Sequence, residues 1–313
     1  MDIHDLISRQ AGLISRRQAL AHGLTVGDIQ RLQRRREWAR VFPGVYINHT
    51  GPFSESQREW AAILLHRQAA LAGRTALRRA GIATGSDHRR SRQQPDIELV
   101  VPRHDSPQRR PGVIVTRRQD YATIVHPTLI PPTVRIEDAV LDIAQACSES
   151  QAVAVLSDAC RSRKTTAPRL LTAARMRHRL RQRDFLTSVL DDAADGTHSL
   201  LEWRYRHHVE HNHALPRAMR QDQNSSTFRD VHYRRHGVIV ELDGRLGHDL
   251  ALDRWADLDR DVANAANGLI TVRMGWGQVL EPCRTASAIA AILSARGWAK
   301  SPRACGPTCT IEA

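Results

Sequence analysis

Three acidic residues in the last third of the sequence have the spacing of a carboxylate cluster. The segments on either side of Arg235-His236 alternate polar and apolar residues, a pattern that predicts a β-hairpin. Because side chains two residues apart share a face of a strand, Glu241 and Asp243 lie on the same face. A two-residue loop sets a pairing register in which Asp230 is directly opposite Glu241. The hairpin therefore gathers three carboxylates.

Carboxylates that face each other across a strand pair repel, so this face needs a cation or a proton. Hard carboxylate oxygens suit Mg²⁺ or Mn²⁺, and such an ion can bind a scissile phosphate and activate water. The sequence thus predicts that Asp230, Glu241 and Asp243 form a metal site that cleaves phosphodiesters. Two alternatives stay open: the acids can pair with neighbouring arginines such as Arg245, or a three-residue loop can place Asp230 and Glu241 on opposite faces.

Five segments of residues 196–298 carry further motifs: Ser199-Leu200-Leu201-Glu202, Phe228-Arg229-Asp230-Val231, Val240-Glu241-Leu242-Asp243-Gly244-Arg245 with His248 shortly after it, Asp259-Arg260-Asp261 and Thr271-Val272-Arg273-Met274-Gly275-Trp276-Gly277-Gln278-Val279. Together they resemble the PD-(D/E)XK nuclease superfamily, and more narrowly its Vsr-like branch. The resemblance implies a restriction-endonuclease-like mixed sheet flanked by helices and an Mg²⁺-dependent DNA endonuclease activity. The helices that we predict at 200–212, 251–267 and 285–296 and the strand at 269–274 agree with this fold.

The resemblance also implies a role for each matching side chain. The implied catalytic residues are the metal ligands Asp230, Glu241 and Asp243, the general acid or base His248, and the helix carboxylate Glu202, while Arg273 would contact a phosphate. The sequence departs from the superfamily pattern where Arg229 replaces a proline and Asp243 replaces a lysine. The missing lysine removes the usual cation near the attacking water. For Arg273, a structural pairing with a carboxylate is the alternative.

The first fifty residues predict a second functional element, three short helices followed by a hairpin. Helices are expected at 2–9, 16–22 and 26–36, and two apolar segments flank the Pro43-Gly44 turn. This is the order of a winged helix-turn-helix, whose third helix enters the major groove of DNA. The residues expected to contact DNA are Gln30, Arg31, Gln33, Arg34 and Arg35 on that helix and Arg40 on the wing. A solvated basic helix on a packing domain is the alternative.

The segments Leu6–Ala19, Gly23–Thr25 and Arg40–Tyr46 resemble the winged-helix domain of AbiEi-type antitoxins. This resemblance covers residues 1–50. It implies binding to double-stranded DNA, often at the protein's own promoter, and a cognate toxin protein as a partner. It also supports a second class of function, a non-catalytic antitoxin or transcriptional autorepressor in which the nuclease fold is inactive.

The charge of the chain favours a nucleic-acid partner. Its 313 residues include 46 Lys and Arg against 33 Asp and Glu, a formal net charge of +13 at pH 7. Such an excess of basic over acidic residues is typical of proteins that bind polyanions. Arginine supplies nearly all of the basic residues, so a compositional bias of the coding sequence is the alternative explanation.

Between the winged helix and the nuclease-like domain, residues 54–195 predict a middle α/β region, so the fold class is α/β with several domains. No apolar run is long enough to cross a membrane, and no secretory signal is visible. We therefore expect no membrane contact and a cytoplasmic location.

Residues 299–313 predict a flexible tail. Cys305 and Cys309 within it have a spacing compatible with metal binding, and Cys283 could join them. Three thiols in an irregular tail make a weak zinc site, so free thiols are the favoured interpretation.

Overall fold

The computed structural model describes residues 2–83, 95–108, 110–195, 199–220, 230–246, 258 and 261–311. The chain divides into two compact units, Met1–Asp142 and Ile143–Ala313. None of the helices within these described ranges is both long and apolar enough to cross a membrane.

The first unit begins with a winged helix-turn-helix. Its elements are α1 (Ile3–Arg9), β1 (Leu13–Ser15), α2 (Arg16–Ala21), α3 (Val26–Arg34), β2 (Ala39–Phe42) and β3 (Val45–Ile47). The strands form an antiparallel sheet in the order β1-β3-β2. The three helices and the hairpin predicted from the sequence are confirmed, and the sheet has an additional strand, β1, that was not predicted.

Local hydrogen bonds set where the helices of this segment begin. Ser15 forms a capping box with Gln18 at the start of α2, and Thr25 forms one with Asp28 at the start of α3. Such boxes satisfy amide groups that the first helical turn leaves unpaired. The inward face of α3 packs Ile29 into a small core that also contains Trp38.

The rest of the first unit adds a second small sheet to the winged helix. Its elements are α4 (Glu55–Leu64), β4 (Ala70–Leu71), α5 (Gly73–Arg79), β5 (Ile97–Pro102), β6 (Val113–Arg118), α6 (Tyr121–Ile124) and α7 (Ile136–Ala144), which extends past the division between the units. β5 pairs antiparallel with β4 and parallel with β6. Leu13 and Ile47 of the winged helix share a hydrophobic core with Trp60 and Leu99. The winged helix is therefore packed against the segment that follows it.

The second unit combines helices with a mixed sheet. Its elements are α8 (Glu149–Arg161), α9 (Ala167–Met176), α10 (Arg183–Asp195), α11 (Ser199–Arg204), a π-helical segment (Tyr205–His211), β7 (Val231–Tyr233), β8 (Val238–Asp243), α12 (261–266), β9 (Ile270–Gly275), α13 (Trp276–Val279) and α14 (Pro282–Ala295). The order is β7-β8-β9, with β8 antiparallel to β7 and parallel to β9. The mixed α/β character is as predicted, while the nuclease fold itself stays a prediction.

The predicted pairing register of the hairpin is confirmed. Val231 pairs with Val240 and Tyr233 with Val238, which is the register that places Asp230 opposite Glu241. The connection is longer than the two residues expected: a 3-10 turn at Arg234–His236 leads into Gly237 at φ +60°. Glycine adopts this left-handed conformation without the steric cost of a Cβ atom.

Candidate functional site

One face of α3 presents the polar side chains expected to contact DNA. Gln30, Arg31 and Arg34 have helical spacing and are all exposed, whereas Ile29 on the opposite side is buried. Gln33 is half-buried, and Arg35 is exposed at the helix C-cap. The candidate reading surface is therefore Gln30, Arg31 and Arg34.

The arginines of this surface differ in how they are paired. Arg31 Nη2 lies 2.7 Å from Asp28 Oδ1, and Arg35 Nη1 lies 3.9 Å from Glu37 Oε1. Within the described ranges, Arg34 and Arg40 form no ion pair, so their guanidinium groups are available to an external anion. Exposed pairs such as Arg31–Asp28 contribute little free energy, and a phosphate or base edge can replace the carboxylate.

Asp28 holds the start of α3 in place through its charge and its hydrogen bonds. Its Oδ2 accepts hydrogen bonds from the hydroxyl and amide of Thr25, at 2.6 and 2.9 Å. These bonds lower the pKa of Asp28 below its usual 3.8, so the group is a carboxylate at neutral pH. The cap is therefore intact at the neutral pH at which DNA binding would be measured.

The wing lies beside the start of α2. Arg40 is exposed on β2, and the adjoining turn contains Gly44 at φ +75°. The amide of Arg16 donates a 2.7 Å hydrogen bond to Gly44 O, which joins the wing turn to α2. Arg16 and Arg17 are exposed there. These two arginines were not among the residues expected to contact DNA, because only the strand pairing brings α2 and the wing together.

In the second unit, the predicted carboxylates have protein partners. Asp230 Oδ2 accepts a 2.7 Å hydrogen bond from the amide of Leu242, and Asp243 pairs with Arg245 at 2.9 Å. Glu241 Oε2 lies 3.3 Å from Arg273 Nε, on the neighbouring parallel strand. These arginine pairings are the alternative that the sequence left open, and they offset the repulsion between the acids.

The remaining predicted residues of this site are only partly described. Arg273 also lies 3.4 Å from Asp261, so two carboxylates surround the guanidinium that was expected to contact phosphate. Glu202 is half-buried in the first turn of α11. His248 lies outside the described residues.

Metal-binding geometry occurs elsewhere in the second unit. Over the described part of the chain, a single group of histidine, cysteine or acidic side chains has ligand atoms close enough for one cation, and it consists of His213, Cys283, Cys305 and Cys309. The predicted carboxylates are not in this group. The Mg²⁺ or Mn²⁺ site at Asp230, Glu241 and Asp243 stays a prediction.

Comparison with known proteins supports the N-terminal resemblance. Residues 1–49 match a family model described as a transcriptional regulator, AbiEi antitoxin. The match coincides with the winged helix from α1 to β3. No curated protein matches the chain. The C-terminal resemblance to Vsr-like nucleases stays a prediction.

Proposed function

We propose that the protein is a DNA-binding transcriptional regulator that recognises double-stranded DNA through its winged helix. The observation that carries this proposal is the exposed face of Gln30, Arg31 and Arg34 on α3, which a buried core supports from the opposite side. Arginine and glutamine can each make two hydrogen bonds to a purine edge. The family match to AbiEi-type regulators supports the same assignment.

In this proposal α3 lies in the major groove and Arg40 contacts the phosphate backbone beside it. Arg16 and Arg17 add positive charge near the wing turn. The regulated DNA is the promoter of the protein's own gene, and a cognate toxin is the protein partner, as the AbiEi resemblance implies. The second unit serves as a non-catalytic binding platform.

Fluorescence anisotropy with two labelled duplexes tests the DNA-binding proposal. One duplex covers the region upstream of the gene, and the other has the same composition in scrambled order. We expect tighter binding to the first, and a Gln30→Ala/Arg34→Ala variant should lose about tenfold or more of that preference. Arg67→Ala is the matched control, because Arg67 is exposed and lies outside the winged helix. Equal affinity of wild type for both duplexes would contradict promoter recognition.

A metal-dependent DNA endonuclease is the second candidate function. The hairpin register, with Asp230 opposite Glu241 beside a parallel third strand, favours it. A bound Mg²⁺ would have to displace Arg273 from Glu241 and take up the carboxylate itself. The arginine pairings make the regulator the better supported proposal.

Incubation with supercoiled plasmid in Mg²⁺, Mn²⁺ or EDTA separates the two candidates. A nuclease would nick the plasmid only with metal, and Glu241→Gln would abolish nicking while DNA binding persists. Glu281→Gln is the control, since Glu281 is an exposed acid paired with Arg284. Absence of cleavage by wild type in both metals, with DNA binding intact, would leave the regulator as the function.

A further inference from the structure

Four metal-ligating side chains from separate parts of the second unit meet in one cluster. His213 follows the π-helical segment, Cys283 lies in the first turn of α14, and Cys305 and Cys309 belong to the C-terminal segment. One ligand atom from each lies within 4.8 Å of all the others. Neither the proposed DNA interface nor the carboxylate hairpin uses any of these residues.

The sulfur spacing fits ligands of one tetrahedral ion. Cys283 Sγ and Cys305 Sγ are 3.6 Å apart. Two thiolates on a tetrahedral zinc ion are separated by about 3.8 Å, because each Zn–S bond is about 2.3 Å long. Disulfide sulfurs are separated by only about 2.05 Å, and all five cysteines of the chain are free thiols.

His213 supplies an independent indication of a missing partner. Its side chain is completely buried, and Nδ1 is 3.1 Å from the carbonyl oxygen of Val209. With Nδ1–H donating to that carbonyl, Nε2 carries a lone pair, and it has no hydrogen-bond partner among the described residues. Metal-bound histidines commonly donate their other ring N–H to a backbone carbonyl in this way. A cation within the cluster would give the buried Nε2 its partner.

A backbone amide also points at the sulfur of Cys309. The amide of Ile311 donates to Cys309 Sγ at 3.4 Å. Three cysteine sulfurs this close would repel one another as thiolates, and a divalent cation between them would offset that repulsion.

We propose that His213, Cys283, Cys305 and Cys309 bind one Zn²⁺ ion as a structural site. Three thiolates and an imidazole are the ligand types that zinc prefers, and four protein ligands leave no position for a substrate. The ion would tie the C-terminal segment to α14 and to the end of the π-helical segment. The amide of Arg303 already donates to His213 O at 2.8 Å, so the backbone runs beside the site.

Metal analysis of the untagged, full-length protein, purified without chelators, tests the proposal. We expect one zinc per chain by mass spectrometry of the metals, and a loss of most of it in Cys305→Ser and in Cys309→Ser. Cys147→Ser is the matched control, a half-buried thiol outside the cluster, and should retain the full zinc content. Wild type that carries no zinc, iron in place of zinc, or ligand variants that keep one zinc per chain would overturn the proposal.

A measurement on wild type alone covers the case in which the ligand variants do not fold. Zinc is removed under reducing conditions and Co²⁺ is added to the apoprotein. We expect the visible bands of tetrahedral cobalt together with a thiolate-to-cobalt charge-transfer band, saturating at one Co²⁺ per chain. An octahedral cobalt spectrum, or a Cys283–Cys305 disulfide in the freshly purified protein, would overturn the proposal.

Discussion

Two tyrosine hydroxyls show how single polar groups are accommodated in the core of the second unit. Tyr205 in the π-helical segment and Tyr233 on β7 are almost completely buried, and their hydroxyl oxygens are 3.1 Å apart. Burial raises the pKa of both groups, so each stays protonated over the range in which the protein would be studied. Each hydroxyl is the other's hydrogen-bond partner.

Removing both hydroxyls should cost less than the sum of the costs of removing each one alone. Tyr233→Phe leaves the Tyr205 hydroxyl buried and unpaired, and we expect the free energy of unfolding to fall by about 1–3 kcal/mol. The double variant Tyr205→Phe/Tyr233→Phe should lose less than the sum of the single changes. Urea unfolding curves measure all three. Tyr121→Phe should be near neutral, because the half-buried Tyr121 hydroxyl has no hydrogen-bond partner within the described residues. Additive effects would contradict the pairing.

The hydrogen bonds between Thr25 and Asp28 make the stability of the start of α3 depend on pH. Thr25→Ala removes the cap, so we expect a loss of about 1 kcal/mol and a rise in the pKa of Asp28 toward its usual 3.8. Because the folded state lowers this pKa, the stabilisation by Asp28 is complete about one pH unit above 3.8 and is lost as the pH falls through 3.8 to the lowered value. NMR titration of the Asp28 carboxyl carbon measures the shift. Thr25→Ser should preserve both properties, and an unchanged pKa in Thr25→Ala would contradict the assignment.

At the scale of elements, the junction of α5 with β5 depends on a glycine. Gly73 has φ +50°, and a Cβ atom there would overlap the carboxylate of Glu98. That carboxylate accepts a 2.9 Å hydrogen bond from the amide of Arg74, which holds the first turn of α5 against the strand. A side chain at position 73 would therefore disturb both the backbone and this contact.

A comparison of two glycines separates backbone strain from steric overlap. Gly81→Ala introduces backbone strain without steric overlap, since Gly81 has φ +75° and nothing lies within 4 Å of the added Cβ. We expect a cost of about 1 kcal/mol for Gly81→Ala and of about 2 kcal/mol or more for Gly73→Ala. Thermal unfolding of both variants measures the difference. Equal shifts in Tm would mean that Glu98 moves aside without cost.

At the scale of the whole molecule, the excess of positive charge should appear in the salt dependence of DNA binding. Each phosphate contact contributes about 0.9 to the slope of log K against log salt concentration. Arg34→Ala/Arg40→Ala should therefore reduce that slope by about 2 if both groups contact phosphate, and by about 1 if Arg34 reads a base. Anisotropy titrations between low and moderate salt measure it. Arg67→Ala should leave the slope unchanged, and a double variant with the wild-type slope would exclude both arginines from the interface.

The winged helix was predictable because its determinants are local. Ser15 and Thr25 cap helices through residues three positions away, and the helical period of α3 separates Ile29 from Gln30 and Arg34. The hairpin register followed from the same kind of information, since alternation and loop position decide which residues of adjacent strands pair. The longer turn of the hairpin could not be predicted in this way. Its 3-10 turn and the left-handed Gly237 that follows have no distinct pattern in the sequence.

The sequence by itself therefore determined the caps, the helical faces and the strand pairing of neighbours in the chain. Only the tertiary structure decided which distant side chains meet: Arg273 beside Glu241 through the parallel β9, and His213 beside Cys283, Cys305 and Cys309. The physical reason is that capping and periodicity involve residues a few positions apart. Contacts between remote segments depend on how whole elements pack their buried faces together, which no local pattern specifies.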